Sequence, residues 1–499
     1  MEAAYGAPRE PGGKPPLAQG RWEREWRRAQ RLHPSGQYAF PKRGTGRRLV
    51  RLTQSLTAGI RSRDNRSEAL LLMLDPHIKK AKKVRETIES RLNLWEQGEK
   101  GRETLLQEAT KISRRAHTSS RRGESESQSK KEDEKAAGLP KMRKFRNFIQ
   151  AGEMRRGIRI LIGREKGGVL DGEDTFTKRR QTYQVAETLK AKHPPKKTPQ
   201  AAALEAMPRE GLPTLTPLLI TEEDITAVAR RLQDSAGPSG LDSTQLRIAV
   251  LSLGRESREL REELANLATE MGRRVFEWDQ VKALMACRLV ALDKCPGVCL
   301  VGIGEAIRRF LRKAVMKETR EEQLLQEACG ADQQCSGLMG GLEGGIHAVR
   351  ELWETLTQEA GDDPEKAFGT LLIDAKNAFN AANRTARLWN ARILWLRAST
   401  FLFNCYRGDA ELFLRGTHGT TTISSREGWT QGDPMSMAGY AITILPLVQA
   451  LRGSGSGQTE SETQSEASGS SQAAGEKQTR MRESRQADRE TQSESSENS

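Results

Sequence analysis

The chain has 499 residues, 36% apolar, 5% aromatic and 29% charged, and its 81 Lys and Arg against 66 Asp and Glu leave a formal charge of +15. That apolar content is too low for the whole length to offset its ordering entropy, so one folded region with long disordered flanks is expected. The composition also excludes a membrane span, since no apolar run approaches the roughly 20 residues required, and a disulfide scaffold, since six cysteines are spread thinly through the chain.

Residues 1–67 are rich in Gly, Pro and Arg, with scattered Trp22, Trp26 and Tyr38, and read as a disordered basic arm. Residues 68–140 form a charged helical segment and linker. Leu70, Leu71 and Leu74, then Val84, Ile88, Leu92 and Trp95, predict one or two amphipathic helices, and residues 118–135 (TSSRRGESESQSKKEDEK) the linker. Residues 141–215 are an accessory segment expected to dock on the folded region C-terminal to it, with a strand over 158–162 and a helix over 184–192 that ends before His193-Pro194-Pro195.

Apolar periodicity runs almost continuously over residues 216–452, starting from a helix capped by Thr221, and residues 453–499 read as a disordered polar tail. Within this region a helix over 227–233 leads to the turn Gly237-Pro238-Ser239-Gly240-Leu241-Asp242. A strand over 288–292, a turn over 294–297 and a basic helix over 305–316 come next. Gly302-Ile303-Gly304 lacks the third glycine of a dinucleotide fingerprint, and the pairs Cys295/Cys299 and Cys329/Cys335 lack the spacing and histidines of a zinc site.

Residues 369–390 (GTLLIDAKNAFNAANRTARLWN) carry the most information. Leu371, Leu372 and Ile373 predict a short buried strand ending at Asp374, whose carboxylate would stand at a sheet rim open to a cleft. Such a carboxylate suits Mg²⁺ held against phosphates, and equally suits a helix cap. A helix and crossover are expected over 388–408, a hairpin over 410–426, and a tight turn at Gln431-Gly432-Asp433-Pro434 before an apolar helix reaching Leu451.

Asp374 followed by Asn377-Ala378-Phe379-Asn380 and Arg384 resembles the first palm motif of reverse transcriptases of eukaryotic retroelements, closest to those without long terminal repeats. Gln431-Gly432-Asp433-Pro434 resembles the loop of the second palm motif. The strand, turn and basic helix over 288–316 resemble the first two fingers motifs, residues 237–242 the extra N-terminal motif, and the glycines within 333–347 the join between fingers and palm.

The resemblance implies an α+β fold, a partial right-hand polymerase of fingers and palm with long disordered flanks. It makes Asp374 the catalytic carboxylate and, with the carbonyl of Ala375, a ligand of Mg²⁺. Phe379 would exclude a ribose 2′-hydroxyl, and Gln431 and Gly432 would contact the nucleotide. Lys294, Arg308 and Arg309 would meet the triphosphate and the template. Read from residues alone, Phe379 is a core aromatic on an amphipathic helix, and the three cations are equally solvent-facing charges.

Two departures stand out. Cys299-Leu300 occupies the place where many relatives carry Arg-Pro. The third palm motif, with two adjacent Asp residues, does not come after Leu451. The family reaction is RNA-templated DNA synthesis from a DNA primer and dNTPs, and the chain is expected to be catalytically incomplete for it. The alternative is a non-catalytic nucleic-acid-binding remnant, consistent with the charge of +15. No membrane partner is expected, and without a signal-peptide core the location is expected to be intracellular, in nucleus or cytoplasm.

Overall fold

The computed structural model describes residues 2–5, 21–32, 40–75, 84–113, 168–320 without 179, 295 and 296, 341–361 without side chains at its start, 368–416 and 419–455, with a few single positions elsewhere. The chain divides into Met1–Ile444 and Leu445–Ser499, and of the second unit only the end of one helix is described. The linker over 118–135, the strand expected over 158–162 and the tail beyond 455 lie outside the described residues.

The N-terminal region departs from expectation. Helices α1 (Arg21–Gln30) and α2 (Arg43–Arg61) form where a disordered arm is expected, and together with α3 (Ser67–Leu74), where the leucine pattern does predict helix, they are part of the main core. Leu49, Val50, Thr53, Leu56, Thr57 and Ile60 recur at helical spacing and are buried where α2 packs on a later helix, while Arg47 stays outside. Trp26, 1% exposed, meets the Phe413 ring edge-on at 5.4 Å. The arginines between these apolar positions dilute the average composition of the segment without interrupting the buried stripe. Helix α3, whose side chains are buried all round, has no polar face to show. Helix α4 (Val84–Glu96) and a helix over 99–113 then form as the charged pattern predicts.

The main sheet comprises β1 (Val169–Leu170), β4 (Cys287–Asp293), β5 (Val298–Gly304), β6 (Ala410–Arg415) and β7 (Thr420–Ser425); β2 (Thr175–Lys178) and β3 (Gln181–Gln184) make a separate hairpin. β4 is central. It pairs antiparallel with β5 from Cys287↔Gly304 to Asp293↔Val298, and on its other edge parallel with β6 from Cys287↔Leu412 to Leu289↔Leu414. β1 takes up that same edge further along at Ala291 and Leu292, and β7 closes the far side against β6. Alternation along β4 and β5 buries Cys287, Leu289, Ala291, Val298 and Leu300, which form a second core with Leu412, Leu414 and Ile423. Val185 and Leu189 of helix α5 (Val185–Ala191) complete it, so the accessory segment does dock on the C-terminal strands.

Helices α6 (Glu222–Arg230), α7 (Ser243–Leu251), α8 (Arg255–Arg273) and α9 (Ala306–Thr319) enclose the main core, with α2 packed along α8. Thr221 caps α6 as the sequence predicts, its hydroxyl accepting from Asp224 N–H while the Asp224 carboxylate accepts from Thr221 N–H. Helix α10 (Gly341–Ala360) leaves Ile346, Val349, Leu352 and Trp353 exposed. Helices α11 (Ala378–Ala381), α12 (Arg384–Leu394), α13 (Leu396–Tyr406) and α14 (Ser436–Gly455) are the remaining named helices among the described residues.

Leu371, Leu372 and Ile373 belong to no strand and are 80%, 89% and 64% exposed. The predicted buried strand is therefore not formed. The composition of the run favours burial, yet no strand of the sheet lies beside it to satisfy its backbone. Mixed helix and sheet is otherwise the architecture expected. Among the described residues no helix is long and apolar enough to cross a membrane.

Candidate functional site

Asp374 and Ala375 stand exposed in the irregular segment ahead of α11, and Asp374 makes no hydrogen bond or ion pair among the described residues. Mg²⁺ asks for near-octahedral coordination by hard oxygens. One carboxylate and one carbonyl do not supply it, and no group of three or more His, Cys, Asp or Glu suited to a metal occurs among the described residues. These residues do not fit the ion by themselves.

The residues after Asp374 are firmly held. Asn377 adopts left-handed backbone at φ 56°, and its side-chain amide donates to the Lys192 carbonyl at 2.7 Å. Asn383 caps α12 by accepting from Ala386 N–H at 2.9 Å, and donates to the Lys197 carbonyl at 2.7 Å. Phe379 is half-buried, its ring 4.9 Å from that of Tyr440.

The two segments singled out by their motifs meet here. Trp429 N–H donates to the Phe379 carbonyl at 2.5 Å, and Gly428 N–H to the Ala382 carbonyl at 2.8 Å. Gly428 sits at φ +71°, and a Cβ on it would lie 2.2 Å from the Phe379 oxygen, so only glycine allows this approach. Gln431 and Gly432 form the expected turn, Gly432 at φ +94°, and the Gln431 carbonyl accepts from Gly302 N–H at 3.2 Å on the free edge of β5. The turn thus covers an edge that would otherwise present unpaired groups.

The Asp433 carboxylate accepts from Met435 N–H at 3.0 Å within the turn that leads into α14. The same buried carboxylate forms an ion pair with Arg312 and lies 3.8 Å from Arg308. Arg308 is 3% exposed and donates to the Met285 carbonyl at 2.6 Å and to Cys287 Sγ at 3.2 Å. Arg309 donates to the Gly304 carbonyl at 3.0 Å and to that of Ser235. Both guanidinium groups therefore face inward and hold the chain together, where the sequence suggests that they face a triphosphate. Lys294 is exposed at the β4–β5 turn. Four to five residues at about 3.3 Å each separate it by roughly 15 Å from the end of β5 that the Gln431 turn covers.

Sequence reasoning missed the arginine cluster around Tyr406. The Arg387 guanidinium lies 3.8 Å from the Tyr406 ring centre and 4.3 Å from that of Trp429, and it donates to the Gly428 carbonyl. Arg384 donates to Gly408, Ser425 and Glu427 carbonyls and to Ser425 Oγ, each at 2.9 Å. Arg312 donates to the Tyr406 hydroxyl at 3.1 Å. Burial pushes Arg384 down to about 10 and Arg387 well below the ordinary range. Burial pushes Tyr406 up, but Arg312, Arg387 and Arg308 outweigh it and hold the phenol below its usual value. The available signal was Arg384 and Arg387 three apart on a helix whose other buried positions are mostly apolar.

The accessory segment crosses this region as an extended strap. Lys197 N–H donates to Glu427 at 2.7 Å, Glu205 N–H to Asn390 at 2.8 Å, and Trp389 Nε1 to the Glu205 carbonyl at 2.8 Å. His193 in the strap is half-buried with neither ring nitrogen hydrogen-bonded, and burial, then Arg384 and Lys192, push it down to about 4. No model of a known protein family matches the chain, and no curated protein matches it.

Proposed function

We propose that the chain is a nucleic-acid-binding protein built on the fingers and first part of the palm of a retroelement reverse transcriptase, and that residues 1–499 do not by themselves copy RNA into DNA. Its partners are an RNA template and a DNA primer, with dNTP as the nucleotide of the family reaction, in nucleus or cytoplasm. The observation that carries the reading is the junction of the two motif segments. Phe379 and Trp429 lie fifty residues apart in the chain and share a backbone hydrogen bond of 2.5 Å. Segments that resemble successive palm motifs have to be neighbours for the resemblance to hold, and these are. The charge of +15 supplies the affinity for phosphates.

The lone, exposed Asp374 favours the non-catalytic form over the polymerase. Two-metal nucleotidyl transfer requires several carboxylates around one substrate position, and an isolated one supplies little of that charge stabilisation. Primer extension on an RNA template with dNTPs and Mg²⁺ or Mn²⁺ tests this, with retention of the primer-template read on the same samples. Retention without extension is expected, equally for the native chain and Asp374→Asn. Extension that depends on Asp374 would overturn the non-catalytic reading, and absence of retention would overturn the binding reading.

A further inference from the structure

An open pocket of about 450 Å³ lies where the start of α2 meets the α7–α8 junction, far in sequence from the two palm-like motifs. Three cations line it, Lys42, Arg43 and Arg47, facing Ile248, Ser252 and Gly254. Lys42 and Arg43 are exposed and have no acidic or hydrogen-bonding partner among the described residues. Arg47 has only a loose ion pair with Glu256 at 3.7 Å, and Glu256 is the acidic side chain paired with this group. Of the acids nearby, Glu259 pairs with Arg255 at 2.6 Å and Glu89 accepts from the Thr45 hydroxyl at 3.3 Å.

The backbone of the pocket is equally accessible. A Cβ on Gly254, which lines the pocket, would meet nothing within 4 Å, so a ligand can reach the main chain there, and one on Gly44, next to the lining residue Arg43, would also meet nothing. Lys42 and Gly254 are the residues that precede α2 and α8, and neither supplies a side-chain acceptor to the first turn of its helix. The N–H groups of those turns add partial positive charge to the charge of the three side chains. Three cations held together in one concavity against a single carboxylate repel each other, and an anion relieves that repulsion.

We propose that this pocket is a binding site for a phosphate group. The inference deepens the nucleic-acid reading by placing one backbone phosphate at the α2–α8 end of the main core, and in that respect it rests on that reading. Binding of free phosphate does not depend on it. The volume falls within the roughly 300 to 1,000 Å³ of small-ligand sites, and the arrangement of Lys, Arg and open backbone suits a doubly charged oxyanion better than a carboxylate.

The test is calorimetric titration of the full chain with inorganic phosphate at constant ionic strength, compared with Lys42→Gln/Arg43→Gln and with Gly44→Glu, which places a negative charge beside the lining residue Arg43. Each variant should weaken phosphate binding by about tenfold or more, with an unchanged circular dichroism spectrum and melting curve, since the altered positions are exposed. Competition with a short single-stranded RNA identifies the source. Displacement of phosphate by RNA assigns the site to a nucleic-acid backbone. Phosphate binding that RNA does not displace still supports a phosphate site, and assigns it to a small phosphorylated ligand whatever becomes of the nucleic-acid reading. Equal phosphate affinity in native and variant proteins, or no heat of binding in the native protein, overturns the proposal. If one variant fails to fold, the other carries the comparison.

Discussion

Glu305 receives two hydrogen bonds from Ser239, one from its backbone N–H at 2.9 Å and one from its hydroxyl at 2.6 Å, and both residues are fully buried. This clasp fastens the Gly237–Asp242 turn to the start of α9. Burial pushes the Glu305 carboxyl up to about 7, Ser239 and Arg308 lower it in part, and Asp75 raises it further. The native state therefore binds this proton more tightly than the unfolded chain, whose carboxyl has an ordinary value near 4.5. Its contribution to stability is complete below about 4.5 and is lost as pH rises through about 7. Urea unfolding across that window should show stability falling with rising pH by about 3 kcal/mol at most, and Glu305→Gln should remove that part of the slope. An unchanged slope in the variant would show that Glu305 is not the group responsible.

His193 gives the opposite slope at lower pH. It is pushed down to about 4 in the folded chain from an ordinary 6.5, so the folded state prefers it neutral. Its contribution is present above about 6.5 and is lost as pH falls towards about 4. Amide protection in residues 192–205, corrected for the intrinsic pH dependence of exchange, should therefore fall on acidification before the main core opens. In His193→Phe, which cannot charge, that early phase should disappear. Equal acid sensitivity of strap and core would contradict this.

Gly428→Ala should destabilise the chain by about 2 to 4 kcal/mol. The added methyl meets the Phe379 oxygen at 2.2 Å, and the position needs φ +71°. Denaturant midpoints measure the loss. A change under about 0.5 kcal/mol would mean that the junction between the two motif segments is not tight.

Leu372→Ser should cost less than about 0.5 kcal/mol, because a side chain 89% exposed loses little on truncation. A loss of the size seen for buried leucines, about 2 to 5 kcal/mol, would show that residues 371–373 are covered in solution.

The features legible in the sequence are mostly local. The Thr221 cap, the strand β4, the helix α9, the β6–β7 hairpin and the turn at Gln431 all arise from periodicity and turn chemistry within a few residues, whereas the sequence did not mark β5 as a strand. The features that were not legible depend on distant partners. Leu371, Leu372 and Ile373 have strand composition, but a strand also needs a neighbour, and composition does not report one. Helices α1 and α2 were hidden because averaging over many arginines masks a narrow buried stripe. The resemblance makes Arg308 and Arg309 phosphate ligands, yet the carbonyls of Met285, Gly304 and Ser235 that receive them come from other elements. At the candidate site, neither the hydrogen bond from Trp429 to Phe379 nor the arginine cluster around Tyr406 was legible, because both join residues far apart in the chain.

The central claim is that this chain holds nucleic acid by its phosphates. Its most direct test is equilibrium binding of an RNA/DNA primer-template, measured by fluorescence anisotropy across a series of salt concentrations. The account predicts a strongly negative slope of log K against log salt, because each phosphate neutralised by Lys or Arg releases counterions. Affinity independent of salt, or no binding at low salt, would contradict it.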